Sequence, residues 1–135
     1  MSTQLADNRL VLKWCRFLAQ EHFYVGLSLD GPKEMHDGYR VTKRGKPTHD
    51  RVMRTLRLLQ DYGVTCDTLC VLHDRNTRHP LELYRFFKEV GIRQMVFLPL
   101  VGRSASGTVT PESVTPEDFG TFLCAVFDEW IRYDA

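Results

Sequence analysis

Phe23-Tyr24-Val25-Gly26-Leu27-Ser28-Leu29-Asp30-Gly31-Pro32, continuing as Lys33-Glu34-Met35-His36-Asp37-Gly38-Tyr39-Arg40, is the stretch whose reading decides the fold. Val25, Leu27 and Leu29 alternate with Gly26, Ser28 and Asp30, so one face is greasy and the other small or polar. That period belongs to a strand with helices against one face and a site before the other. Gly31-Pro32 stops the strand, and a polar loop carries Arg40. A hydroxyl and a carboxylate therefore leave the carboxyl end of a strand, with a guanidinium following. In an α/β protein, ligands bind at that edge.

Upstream, a helix is expected from Asp7, capped by Asp7 or Asn8, with Leu10, Trp14, Phe17 and Leu18 at helical spacing and Cys15 as a core residue beside them. Downstream, Thr48 is placed to cap a second helix whose apolar face is Val52, Met53, Leu56, Leu59 and Tyr62, with Gly63 as its stop. Val64 to Leu72 reads as the second strand, followed by polar His73-Asp74-Arg75-Asn76. Pro80 suits the first turn of a third helix with Leu83, Phe86, Phe87 and Val90 buried, and Gly91 ends it. Ile92 to Leu98 is the third strand, closed by Pro99. Residues 101–114 form an exposed loop. Thr115-Pro116-Glu117-Asp118 then opens a last helix striped by Phe119, Phe122, Leu123, Val126, Phe127 and Trp130, with Cys124 beside the stripe.

The sum is an α/β chain of parallel βα repeats with right-handed crossovers. Three parallel strands leave two open edges and cover a core poorly, which points to a piece of something larger.

Bulk properties narrow the classes. A chain of 135 residues, 43% hydrophobic and 26% charged, is one globular domain rather than a disordered segment. Net charge is +1, so no overall field draws nucleic acid or an acidic membrane surface. Charge is placed unevenly. Residues 38–54 carry six cations against Asp50, and residues 111–135 carry six acids against Arg132. Solvated faces account for both runs; an anionic ligand beside the first is the other reading. Met1–Asn8 has no apolar core and no run approaches a membrane span, so neither a leader nor a membrane partner is expected. The four cysteines, in apolar contexts without an export signal, read as reduced thiols of a cytoplasmic protein.

The residues also carry a resemblance. Val25-Gly26-Leu27-Ser28-Leu29-Asp30-Gly31-Pro32 with His36-Asp37-Gly38-Tyr39-Arg40 is similar to the anaerobic sulfatase-maturating enzymes, of the radical S-adenosylmethionine (SAM) superfamily. The likeness continues through Thr48–Met53, Tyr62-Gly63-Val64, His79–Phe86, Val90-Gly91-Ile92, Phe97–Val101, Val114–Phe119 and Phe127–Trp130, nearly all of Trp14 to Arg132. It implies three strands of a partial (β/α)6 TIM-like barrel. It implies oxidation of a cysteine or serine of a target sulfatase to Cα-formylglycine, using SAM and a [4Fe-4S] cluster. Matching positions put Ser28 and Arg40 on the amino-acid end of SAM, and a backbone contact to its adenosine part near Leu98–Val101, with Leu100 chosen. Chemistry agrees: Arg offers a planar fork to a carboxylate, and Ser a compact donor. Asp30 is expected to order the Gly31-Pro32 turn, and His36-Asp37 to form a hydrogen-bonded turn rather than a catalytic pair.

The sequence departs from the resemblance at the cluster. A radical SAM cluster takes Cys-x3-Cys-x2-Cys, and these residues contain no such run. Cys66-x3-Cys70 has the first spacing, with His73 where a third ligand would stand. On a strand, however, Cys66 and Cys70 are roughly 13 Å apart, and His73 points to the opposite face from Cys70. We therefore expect no metal ligands and no catalytic residue of the chain's own. Whether it is an enzyme stays open. The expectation is a central fragment of a maturase over residues 1–135, without the first strands, cluster loop and cysteine-rich C-terminal region, and inactive alone. A rival is a docking or complementing module that self-associates or pairs with a cluster-bearing chain through its open sheet edges. A third reading, a small phosphate-ligand domain using residues 40–54, lacks a Gly-rich phosphate loop.

Overall fold

Alternating burial along the central strand sets the architecture. The computed structural model describes the backbone of residues 2–135 and the side chains of residues 9–135. Its elements are α1 (Ser2–Gln20), β1 (Tyr24–Ser28), α2 (Lys33–Asp37), α3 (His49–Asp61), β2 (Thr65–Leu72), a 3-10 turn at Asn76–Arg78, α4 (Pro80–Glu89), β3 (Met95–Pro99) and α5 (Pro116–Tyr133). The strands form one parallel sheet in the order β1-β2-β3, with Ser28 opposite Leu69 and Leu69 opposite Val96. β2 is paired on both sides; β1 and β3 each keep an open edge among the described residues.

Cys66, Thr68, Cys70 and Leu72 are the buried face of β2, packed under the helices with Leu29, Leu56, Leu59, Leu83, Phe87, Ile92 and Phe122. The other face, Gly26 and Ser28 on β1 with Val96 and Leu98 on β3, is exposed, and Leu69 and Val71 between them are half-buried. The greasy-versus-small alternation of β1 thus has the expected sense.

Helix termini follow local chemistry. Thr115 Oγ1 accepts from the Asp118 amide at 3.1 Å and Pro116 occupies the first turn of α5. Gly63 and Gly91 end α3 and α4 with φ of 74° and 82°, a conformation that costs glycine little.

Several expectations are corrected. α1 begins at Ser2, so Asp7 and Asn8 fall inside it and are not its caps. Its buried side is Cys15 with Val11, Leu18 and Ala19, while Leu10, Trp14 and Phe17 are exposed. Val11, Cys15 and Leu18 share the i, i+4, i+7 spacing of Leu10, Trp14 and Phe17; the two stripes differ by one residue's rotation, and packing against the core and α3 selects the one that carries Cys15. β3 starts at Met95 rather than Ile92; Ile92 is instead buried in the loop, its amide bonded to the Phe87 carbonyl. The loop after β1 contains α2. Residues 101–114 are exposed for most of their length, but Ser113 and Val114 are buried and pin the end: Ser113 Oγ accepts from the Gly102 amide at 2.8 Å.

Candidate functional site at the strand ends

The carboxyl ends of the three parallel strands lie at one end of the sheet, where Asp30 follows β1 and His73 to Asn76 follow β2. Ser28 ends β1 and is exposed. Asp30, two residues on, is buried, its side chain 3% exposed. Its Oδ1 accepts the Val71 amide of β2 at 2.8 Å, and its Oδ2 accepts Nε of Arg40 at 2.6 Å. Arg40 has a third of its side chain open to solvent, and neither Nη1 nor Nη2 meets an acceptor among the described residues. The expected turn-ordering role of Asp30 gives way to a larger one: the carboxylate joins β1, β2 and the Arg40 loop.

A chain of buried polar groups holds that junction. The Asp30 amide donates to His36 Nδ1 at 3.2 Å, which assigns the His36 proton to Nε2, 3.0 Å from Thr48 Oγ1. Thr48 Oγ1 in turn donates to the Arg40 carbonyl at 2.6 Å. Burial holds the His36 pKa below its ordinary value despite the nearby Asp30 carboxylate. Thr48 stands at the N-terminus of α3, yet its side chain does not cap that helix; Asp37 Oδ1 does, accepting from the Thr48 and His49 amides at 3.0 and 2.9 Å. His36 and Asp37 each anchor the segment separately, His36 to the Asp30 amide and Thr48, and Asp37 to the start of α3, and they share no side-chain hydrogen bond with each other.

From β2, Asn76 is fully buried and clips the end of the strand. Its Nδ2 donates to the Val71 carbonyl at 2.8 Å and the Asp30 carbonyl at 3.3 Å, and its Oδ1 accepts the His73 amide at 2.8 Å. His73 Nδ1 accepts from the Arg75 and Asn76 amides, and its ring meets Tyr39 edge-on at 4.5 Å. Cys66 and Cys70 point into the helix-covered core, and burial pushes both thiols up, Cys66 to about 11. Leu100 follows β3. Its amide donates to the Leu72 carbonyl at 2.8 Å and its carbonyl accepts from Val114 at 3.0 Å.

The structure thus sets Ser28, Arg40 and Leu100 at the ends of β1, its following loop and β3, on one sheet edge. Asp30, Thr48 and Asn76 are the supporting residues that sequence reading missed or cast in other roles. The available signal was the polar residues soon after β1 and β2; Thr48 follows no strand and had none. A groove of about 840 Å³ lies elsewhere, between β3, α4 and α5, against Met95, Phe97, Leu123, Phe127 and Trp130.

No family model matches the chain. Individual proteins do. It is 39% identical over 137 residues to the serine-type anaerobic sulfatase-maturating enzyme of Bacteroides thetaiotaomicron, across 90% of this chain and 33% of that protein. The chain is homologous to part of the anaerobic sulfatase-maturating enzymes. The cysteine-type enzyme of Clostridium novyi is 34% identical over 88% of this chain and 32% of its own length. The solved structure of native anSMEcpe with bound AdoMet (SAM) and Kp18Cys peptide superposes with a TM-score of 0.78 at 34% identity, covering 88% of this chain and 33% of that one. Native anSMEcpe with bound AdoMet matches equally well, at a TM-score of 0.78 and 33% identity. The chain therefore spans about a third of the maturases it matches, and its three parallel strands with their helices are a partial sheet of the radical SAM maturase fold.

SAM fits one part of this site. An exposed hydroxyl at a strand end and a guanidinium with its outer edge open suit the carboxylate of an amino acid. An iron–sulfur cluster does not fit the described residues. Among the described residues no group of three or more His, Cys, Asp or Glu is placed to hold a metal, and Cys66 and Cys70 face the core. No helix among the described residues is long and apolar enough to cross a membrane.

Proposed function

We propose that this chain forms part of the SAM-binding wall of an anaerobic sulfatase maturase, which oxidises a Cys or Ser of a sulfatase peptide to Cα-formylglycine. The observation that carries the reading is the Arg40 guanidinium, fixed at Nε by Asp30 and open at Nη1 and Nη2 beside the end of β1. In this reading Arg40 receives the methionine carboxylate through two parallel N–H donors, Ser28 donates to the same end, and the Leu100 carbonyl, which keeps a second lone pair beside its bond from Val114, meets the adenosine. With a [4Fe-4S] cluster bound outside the described residues, SAM would supply the radical oxidant. The chain's own residues bind and orient. Four unpaired cysteines support a reducing, cytoplasmic setting.

Alone, the 135 residues are proposed not to cleave SAM. Anaerobic reconstitution with iron and sulfide, followed by an assay for 5′-deoxyadenosine, tests this; cluster-dependent product from this chain by itself overturns it.

A second reading, a docking module for a cluster-bearing chain, is favoured by one feature. Beside the open edge of β3, α5 leaves Leu123, Phe127, Trp130 and Ile131 exposed. Unpaired edges next to apolar faces invite pairing. Sedimentation decides: a monomer at all concentrations, unchanged by F127D, counts against it.

A further inference from the structure

We propose that Asp30 is the positioning residue that makes Arg40 a carboxylate receptor, an inference that rests on the SAM reading above. An arginine on a polar loop ordinarily samples many rotamers, and a ligand must freeze them. Here that ordering is done in advance. Arg40 reaches back ten residues to a carboxylate that is itself almost wholly buried, at 2.6 Å through Nε.

Asp30 is held by four independent contacts. Oδ1 accepts the Val71 amide of the neighbouring strand at 2.8 Å; its own amide donates to His36 Nδ1; its carbonyl accepts from Asn76 Nδ2; and Oδ2 takes Arg40. The first three fix the carboxylate relative to the strand ends, so the fourth fixes the guanidinium there too. The edge used matters. Binding through Nε leaves the paired Nη1 and Nη2 hydrogens for an end-on bidentate contact, the geometry that matches a carboxylate. Asp30 and a ligand carboxylate then occupy different edges of one planar cation and do not compete for the same hydrogens. A salt bridge serving only to tie the loop down needs none of this orientation.

D30N separates the two roles. The amide oxygen still accepts from Val71, while the group facing Arg40 becomes an NH2 donor, so Nε loses both the charge and its acceptor. Arg40 and Asp30 are first probed without ligand, through exchange of the Arg40 Nε proton with water in a nitrogen-15 NMR spectrum assigned by R40K. Protection in the natural chain that drops about tenfold in D30N, with the Val71 amide unchanged, supports the proposal; an unprotected Nε proton in the natural chain overturns it. Binding of SAM and of decarboxylated SAM is then measured by calorimetry. D30N is expected to weaken SAM about tenfold, leave decarboxylated SAM unaffected, and add nothing in an R40K background. Equal losses for both ligands, or additive losses with R40K, make Asp30 merely structural. If the natural chain binds neither ligand, the SAM reading fails, and the Nε exchange alone decides whether Asp30 orders Arg40. Should D30N not fold, D30E, which keeps the charge but displaces it by one methylene, is read in the same two ways.

Discussion

Asp37 Oδ1 stands 3.0 Å from the Thr48 amide and 2.9 Å from that of His49, capping α3 from eleven residues upstream of its N-terminus. The helix with the core residues Met53, Leu56 and Leu59 is thereby tied to the loop that carries Arg40. D37A removes both bonds and is expected to cost about 1–2 kcal/mol, with D37N recovering part of it. Urea unfolding of the two variants checks this; an unchanged D37A midpoint refutes the capping role.

Acid should weaken the same loop. Burial lowers the His36 pKa from 6.5; Asp30 and Asp37 oppose that, while His49 and Arg40 add to it. His73 is lowered too, again chiefly by burial. The unfolded chain therefore takes up these protons first as pH falls, so stability holds above the ordinary histidine value of 6.5 and declines beneath it. Protonation at His36 Nδ1 also removes the acceptor of the Asp30 amide. Urea midpoints measured on either side of that value give the sign, and a midpoint that rises on acidification contradicts it.

Thiol chemistry should divide the cysteines. Cys15, Cys66 and Cys70 are buried and Cys124 is exposed. Burial, with the Asp67 charge adding to it, pushes Cys66 from 9.0 to about 11. A colorimetric thiol reagent on the native chain should label Cys124 quickly and the other three only after unfolding. For Cys66 the folded state keeps its proton longer than the unfolded chain, so stability is present below 9.0 and is lost as pH rises toward 11. Fast modification of Cys66 in the native state would disprove this account.

Gly31, next to Asp30, leaves no room for a side chain. Its φ is 119°, and a Cβ there would overlap Cδ1 of the fully buried Leu83. G31A should cost about 1–3 kcal/mol through strain and overpacking together. Because the residue follows Asp30, the variant should also loosen the Arg40 Nε proton. Melting curves and the same nitrogen-15 spectrum test both halves; wild-type stability would mean that the turn relaxes freely.

Much of this was legible residue by residue. Val25, Leu27 and Leu29 against Gly26, Ser28 and Asp30 set a strand with one covered face, and Thr115-Pro116 set the last helix start; both hold in the fold. What escaped were choices made by tertiary contact. A helix such as α1 offers two stripes of equal spacing, and only packing against the core and α3 decides that Cys15 goes inward and Trp14 outward. Ile92 has a strand-like side chain but is buried from a loop. Thr48 has the chemistry of a cap, yet its hydroxyl serves the Arg40 carbonyl because Asp37 reaches the helix first. Hydrogen-bond partners distant in sequence, such as Asn76 with Val71 and Asp30, leave no local pattern at all.

The parallel sheet also fixes a timetable for the refolding of the full chain. Tyr24 must wait for Thr65, forty-one residues later, whereas Thr68 meets Met95 after only twenty-seven. The shorter closure loses less entropy, so β2, α4 and β3 should assemble as a unit onto which β1 docks last. Until then Asp30 has no Val71 amide to hold it. In refolding from denaturant, the junction of Asp30 with Arg40 would be the final thing to form, and substitutions in β1 should speed unfolding while leaving the folding rate nearly untouched.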